Sequence, residues 1–331
     1  VSASRLQQLH DAGQSIWLDY IDRTLLQSGD LERRIQNDAL TGLTSNPTIF
    51  EKALEGTAYD AQLAGAGSNA SLTPQALFEL IATEDVRSAC DAFRPIYDAT
   101  RGTDGFASIE VSPGVADDAD RTVAEARRLW ETVDRPNVMI KVPGTRSGAQ
   151  AVRTLIAAGI NVNITLLFAI EAHARVIESY MAGLEDRVQA GRGVERMASV
   201  ASFFVSRVDT AVDAKLTALA AGRTGPDKDR LLALRGGAAI ANAKRAYRLF
   251  TEKFAGPRWE ALAARGARVQ RPLWASTSTK NPAYRDVMYV EQLIGPDTVD
   301  TIPPATIEAF RDHGVVARTV DADLAAADRV V

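Results

Sequence analysis

A lysine interrupts an apolar run in residues 137–145, NVMIKVPGT, where Val138, Met139, Ile140 and Val142 surround Lys141 before Pro143 and Gly144 end the run. An unpaired ammonium is costly to bury, so such a lysine either finds an anionic partner or sheds its proton. A neutral amine attacks carbonyl carbons, and the iminium it forms accepts the electrons released when a nearby carbon–carbon bond breaks. Two carboxylates, Asp19 and Glu110, end other apolar runs and suit the proton transfers of such chemistry. A tight ion pair with Glu110 or Asp19 is the structural alternative, because it would hold the amine charged. For catalysis, Glu110 is expected to reach Lys141 through a water, and Val142 and Pro143 to keep the amine dry.

Other polar side chains recur at the same place in their runs, near the C-terminal end. They are Thr44, Ser45 and Asn46 in the second run, Asn163 and Thr165 in the fifth, Ser202 and Arg207 in the sixth, and Ser276 through Lys280 in the seventh. Each has an ordinary explanation on its own: a helix cap, a turn starter such as Asn46-Pro47, a solvated surface charge. Their repetition at one end of successive runs is what a purely structural core does not require. Asn46, Asn163 and Ser202 suit the hydroxyls of a sugar, and Arg207 and Lys280 suit a phosphate on it.

Short apolar runs alternating with longer helical patterns must position these residues. The runs fall at residues 16–21, 43–50, 105–112, 137–144, 160–168, 198–208, 271–277 and 298–302. Between the third and fourth, Ala119, Val123, Ala126, Trp130 and Val133 recur at helical spacing, with Asp117, Asp118 and Asp120 at the start. Residues 209–220, 228–250 and 304–313 are similarly helical. Strands alternating with helices imply parallel pairing and right-handed crossovers, and eight strands suffice to close a barrel. An open doubly wound sheet also fits the alternation, but no glycine-rich dinucleotide fingerprint or phosphate loop accompanies it. The expected fold is therefore α/β, a single (β/α)8 barrel over residues 1–331 with additional helices. In a barrel the C-terminal strand ends converge on one mouth. Period-2 alternation places Glu110, Ser108 and Phe106 on one face, with Ala107, Ile109 and Val111 opposite, and puts Asp19 on the face of Trp17. Residues 51–75, rich in Gly, Ala and Ser, read as helix and loop; a lid over the mouth is the alternative.

Composition narrows the function. The chain has 331 residues, 46% apolar and 24% charged, with a net charge of −4. That balance gives no electrostatic case for binding nucleic acid or an anionic membrane. The one cysteine, Cys90, excludes an internal disulfide framework, and three scattered histidines, His10, His173 and His313, show no metal-ligand spacing. No metal or cofactor is expected. Without an apolar run of 18 residues or a signal-peptide pattern at the start, the expected location is the cytoplasm. The sequence is compatible with a monomer or a homodimer.

The motifs themselves resemble the transaldolase family. LTSNPTIF resembles its signature around a Thr-x-Asn-Pro turn, and VMIKVPGT resembles the segment holding its Schiff-base lysine. NVNITLLF, SFFVSRVD and LWASTSTKNPAYRDVMYVEQLIGPDTVDTIP resemble two further strand ends and the C-terminal region of the bacterial subgroup, in family order over residues 16–314. The resemblance implies a class I aldolase-type barrel of the pentose phosphate pathway. It would transfer a dihydroxyacetone unit from sedoheptulose 7-phosphate to glyceraldehyde 3-phosphate, giving erythrose 4-phosphate and fructose 6-phosphate. It further implies that Lys141 is the nucleophile and Asp19 the proton carrier at the cleaved bond. Glu110 and Thr165 would hold the relaying water, while Thr44, Asn46, Asn163 and Ser202 line the sugar site and Arg207 binds phosphate. In one departure, Lys280, with Ser276 nearby, stands where many members have a second phosphate-binding arginine, which removes the planar fork. A relative that cleaves fructose 6-phosphate to free dihydroxyacetone, and a non-catalytic sugar-phosphate-binding relative, are the competing readings.

Overall fold

The alternation of apolar runs and helical segments resolves into eight strands with helices between them. A computed structural model describes residues 3–67 and 73–331. The strands are β1 (Gln14–Leu18), β2 (Leu40–Thr44), β3 (Phe106–Glu110), β4 (Val138–Pro143), β5 (Val162–Leu167), β6 (Ser199–Phe204), β7 (Arg271–Ala275) and β8 (Thr298–Ile302). Each pairs in parallel with the next, and β8 pairs with β1, so the sheet closes into a (β/α)8 barrel. Helices such as Arg5–Asp11, Gly225–Ala233 and Leu324–Val330 are additional to those of the seven crossovers and the Pro304–His313 helix that follows β8.

Alternation along the strands builds two cores. Trp17, Phe106, Met139, Val200, Leu273 and Val299 point inward and fill the barrel below the mouth. Ile16, Ala107, Ile109, Ile140, Val142 and Ile164 point outward into the helix-packed layer. Burying each such side chain is worth about 1.5–3 kcal/mol. Trp17 forms the floor beneath Asp19, and its indole N–H donates to Asp104 Oδ1 at 2.9 Å. Gly42 makes room for it: a Cβ there would lie 2.5 Å from Trp17 Nε1.

Element boundaries differ from the sequence pattern where a strand hands over to a helix. The second run begins too late, since β2 is Leu40–Thr44 and Asn46 already caps the Pro47–Leu54 helix, its Oδ1 accepting from Ile49 N at 3.0 Å. The sixth run extends too far. β6 ends at Phe204, and Arg207 lies in the first turn of the Ser206–Ala221 helix rather than at a strand end. Residues 228–250 are two helices, Gly225–Ala233 and Ala238–Lys253, because Gly236 turns the chain at φ +75°. The Ala119–Val133 helix starts where expected, capped by Asp118, but buries Thr122 and Leu129 more deeply than Val123 and Trp130. Of residues 51–75, the described part is mostly helical, including Asp60–Gly67 and the start of Pro74–Ala99, with a turn at Glu55-Gly56; residues 68–72 lie outside the described residues.

Candidate active site

The strand ends open on a cavity of about 660 Å³ at the C-terminal mouth of the barrel. Asp19, Thr44, Asn46, Glu110, Lys141, Thr165, Ser202, Arg207, Ser276 and Lys280 all line it. Asn163 does not. It is fully buried one layer below, donating to Ser108 Oγ at 3.2 Å and accepting from Ser202 Oγ at 2.6 Å. Its place is to aim Ser202 rather than to form the cavity wall.

The β3–β4 register sets Glu110 beside Lys141. Lys141 is only 8% exposed, and its Nζ donates to the Ser45 carbonyl at 3.0 Å. Glu110 Oε2 lies 3.3 Å from the same Nζ. The expectation that Glu110 would reach the amine through water is thus corrected: adjacent pairing positions put the two groups in direct contact. The separation exceeds the 2.7–2.9 Å of a strong charge-assisted hydrogen bond. Transfer of one proton from Nζ to Oε2 turns this ion pair into a neutral amine beside a neutral acid.

Asp19 stands across the mouth at the end of β1. Thr44 Oγ1 donates to its Oδ1 at 3.1 Å, and the Thr44 and Thr301 hydroxyls are 2.6 Å apart. The carboxyl opens on the cavity, yet protein surrounds it on most other sides, and this burial raises its pKa above the usual carboxylate value. Lys141, the Thr44 hydrogen bond, Lys280 and Arg207 oppose that rise. A carboxylate so held is a stronger base near neutral pH than an exposed one.

Toward the rim the charge changes sign. Four cations, Lys52, Lys141, Arg207 and Lys280, line the cavity against two carboxylates, Asp19 and Glu110, although the whole chain is acidic. Such local excess attracts a negatively charged ligand. The Arg207 guanidinium sits 4.9 Å above the Phe204 ring, which fixes its plane without consuming its N–H donors. Lys280 Nζ donates to the neighbouring Ser278 Oγ at 2.9 Å. Leu166 and Ser276 hold left-handed backbones, φ 61° and 60°, at the ends of β5 and β7. Non-glycine residues held so are strained by about 1–3 kcal/mol, and such strain clusters at functional sites. No group of three His, Cys, Asp or Glu side chains that could hold a metal ion occurs among the described residues.

Several participants escaped the sequence reading. Thr301 on β8 was visible as a polar residue alternating with Val299. Lys52 had no such signal, since it lies on the Pro47–Leu54 helix and reaches the cavity only because that helix folds over the mouth. The Ser45 carbonyl, as a backbone group, carries no residue-type signature. Asp300, on the opposite side of β8 from Thr301, is fully buried; Thr277 Oγ1 donates to its Oδ1 at 2.8 Å while Oδ2 has no hydrogen-bond partner among the described residues. Burial, reinforced by Asp19, pushes its pKa up to about 8.

Residues 16–330 match the family model described as transaldolase/fructose-6-phosphate aldolase. The chain is 47% identical to Transaldolase 2 of a Nostoc species over 334 residues, covering 100% of this chain and 87% of the relative. It is 50% identical to a transaldolase of Thermobifida fusca over 314 residues, covering 95% and 83%. A transaldolase of Mycobacterium leprae is 47% identical over 316 residues, covering 94% and 81%.

Proposed function

The chain belongs to the transaldolase/fructose-6-phosphate aldolase family, and from that premise we propose that it moves a dihydroxyacetone unit between sugar phosphates through a Schiff base on Lys141. The donor is sedoheptulose 7-phosphate and the acceptor glyceraldehyde 3-phosphate, giving erythrose 4-phosphate and fructose 6-phosphate. The observation that carries the reading is the convergence of Lys141, Glu110 and Asp19 in one cavity whose rim is cationic.

The steps follow from that placement. Glu110 takes a proton from Nζ, and the neutral amine attacks the donor's carbonyl carbon to form a carbinolamine. The carbinolamine hydroxyl leaves as water, with a proton returned by Glu110, and Thr165 lies on β5 beside this exchange. Asp19 then removes the proton of the donor's C4 hydroxyl. The C3–C4 bond breaks, its electrons flow into the iminium to give an enamine, and the first aldehyde departs. The enamine attacks the acceptor aldehyde, Asp19 returns the proton to the new hydroxyl, and hydrolysis of the iminium frees the product. Thr44, Asn46 and Ser202 hold sugar hydroxyls, with Asn163 behind Ser202; Arg207 and Lys280, next to Ser276, receive the phosphate. We place the enzyme in the cytoplasm, where charged sugar phosphates are retained; no helix among the described residues is long and apolar enough to cross a membrane.

A stopped assay separates transfer from simple cleavage. With fructose 6-phosphate alone, free dihydroxyacetone should form far more slowly than sugar is transferred once erythrose 4-phosphate is supplied as acceptor. Release at a rate equal to transfer would assign the chain to the aldolase reaction instead.

A further inference from the structure

The two rim cations sit on different elements, and nothing in either side chain sets their separation. Arg207 rides the first turn of the Ser206–Ala221 helix, whereas Lys280 lies on the connection leaving β7. Among the described residues, the only side-chain hydrogen bond of Lys280 is to Ser278, two residues away on the same connection. What places Lys280 must therefore be what ties that connection down.

At its near end, the Ser276 and Ser206 hydroxyls are 2.8 Å apart, and Ser206 N donates to the Ser276 carbonyl at 3.0 Å. At its far end, Tyr284 O–H donates to Asp213 Oδ2 at 2.5 Å, and Tyr289 O–H donates to Asp209 Oδ2 at 2.8 Å. Asp209 and Asp213 are one turn apart on the same helix that carries Arg207. Each carboxylate is fixed by a second donor, Ala239 N at 2.7 Å for Asp209 and Gly236 N at 3.0 Å for Asp213. The turn is shaped to the ring above it, since a Cβ on Gly236 would come within 3.0 Å of Tyr284 Cζ. One helix thus presents one cation and holds both ends of the segment bearing the other.

We propose that Asp213 and Tyr284 are positioning residues for phosphate recognition: their hydrogen bond sets Lys280 against Arg207 across the bound phosphate. This rests on the reading of the mouth as a sugar-phosphate site. The clamp supplies from outside the side chain the preorganisation that a lysine lacks relative to an arginine fork. Asp209 and Tyr289, which are more deeply buried, anchor the same connection to the core.

The test is Tyr284→Phe, which removes one hydroxyl and keeps the ring on Gly236. Loss of one such bond corresponds to a change of about two- to tenfold. The KM for glyceraldehyde 3-phosphate should rise by that factor with kcat retained, while kcat/KM for unphosphorylated glyceraldehyde stays unchanged. Calorimetric titration of inorganic phosphate should show the same weakening, and Lys280→Ala combined with Tyr284→Phe should bind phosphate no more weakly than Lys280→Ala alone. Equal losses with both acceptors, unchanged phosphate affinity, or additive effects in the double variant would each overturn the clamp. Asp213→Asn, scored by the same phosphate titration, serves if Tyr284→Phe fails to fold. Phosphate binding needs no turnover, so its result stands apart from whether Lys141 forms an adduct, which judges the proposed reaction.

Discussion

At Lys141 a single proton separates two states of the same site. Its Nζ donates to the Ser45 carbonyl at 3.0 Å and faces Glu110 Oε2 at 3.3 Å. In the proposed mechanism, passing its proton to Glu110 leaves a nucleophile and an acid ready to expel water. Asp19 has a separate task in that mechanism, and Thr44, itself hydrogen-bonded to Thr301, donates to its carboxylate. Asp19→Asn should therefore still form the iminium but fail to cleave it. After borohydride reduction in fructose 6-phosphate, intact-mass spectrometry should find the variant carrying the six-carbon sugar phosphate, where the native enzyme also carries the three-carbon unit. A three-carbon adduct on the variant at the native level would remove Asp19 from bond cleavage. These residues were legible in the sequence because a lysine or a carboxylate at the end of an apolar run contradicts its surroundings. For Lys141 the sequence left an ion pair with Glu110 or Asp19 as the alternative to a water-bridged Glu110. The choice of direct contact with Glu110 depends on the β3–β4 register, which no residue type announces.

Among the elements, β8 shows how one strand serves two layers. Thr301 faces the mouth, while Asp300 faces the helices and is buried with one oxygen unpartnered. Its pKa rises from the ordinary 3.8 to about 8, so between these values the folded chain holds a proton that the unfolded chain has released. Stability then falls as pH rises through that window and levels off above it. Asp300→Asn removes the titration, and its Tm relative to the native chain should climb from pH 5 to pH 8.5. Parallel Tm curves for the two proteins across this range would contradict a neutral Asp300. Run and helix patterns located the strands well where a strand stood alone, as with Phe106–Glu110. They slipped at the second and sixth strands because apolar residues resume just past the polar turn, at Ile49-Phe50 and Val208, and belong there to the following helix. The break at Gly236 was similarly hidden inside a continuous helical pattern.

For the whole molecule, closure of eight parallel strands turns separate sequence oddities into one site. The barrel topology was legible because eight strand–helix alternations suffice to close a barrel and no dinucleotide fingerprint favoured the open doubly wound sheet, and convergence at the mouth follows from parallel strands. Contributions from outside the strand ends were not legible: Lys52 depends on how a helix lies over the mouth, and Tyr284 on contacts 71 residues away in sequence. The molecule is acidic overall and cationic at the mouth, and in the proposed reaction that mouth directs a phosphorylated carbonyl compound toward one buried amine. The most direct measurement is borohydride trapping with fructose 6-phosphate followed by peptide mapping. A reduced sugar adduct on the peptide holding Lys141, absent from a folded Lys141→Ala variant, is the predicted result. A native protein that turns over substrate with no adduct on that peptide, or a Lys141→Ala variant that keeps its turnover, would contradict the account.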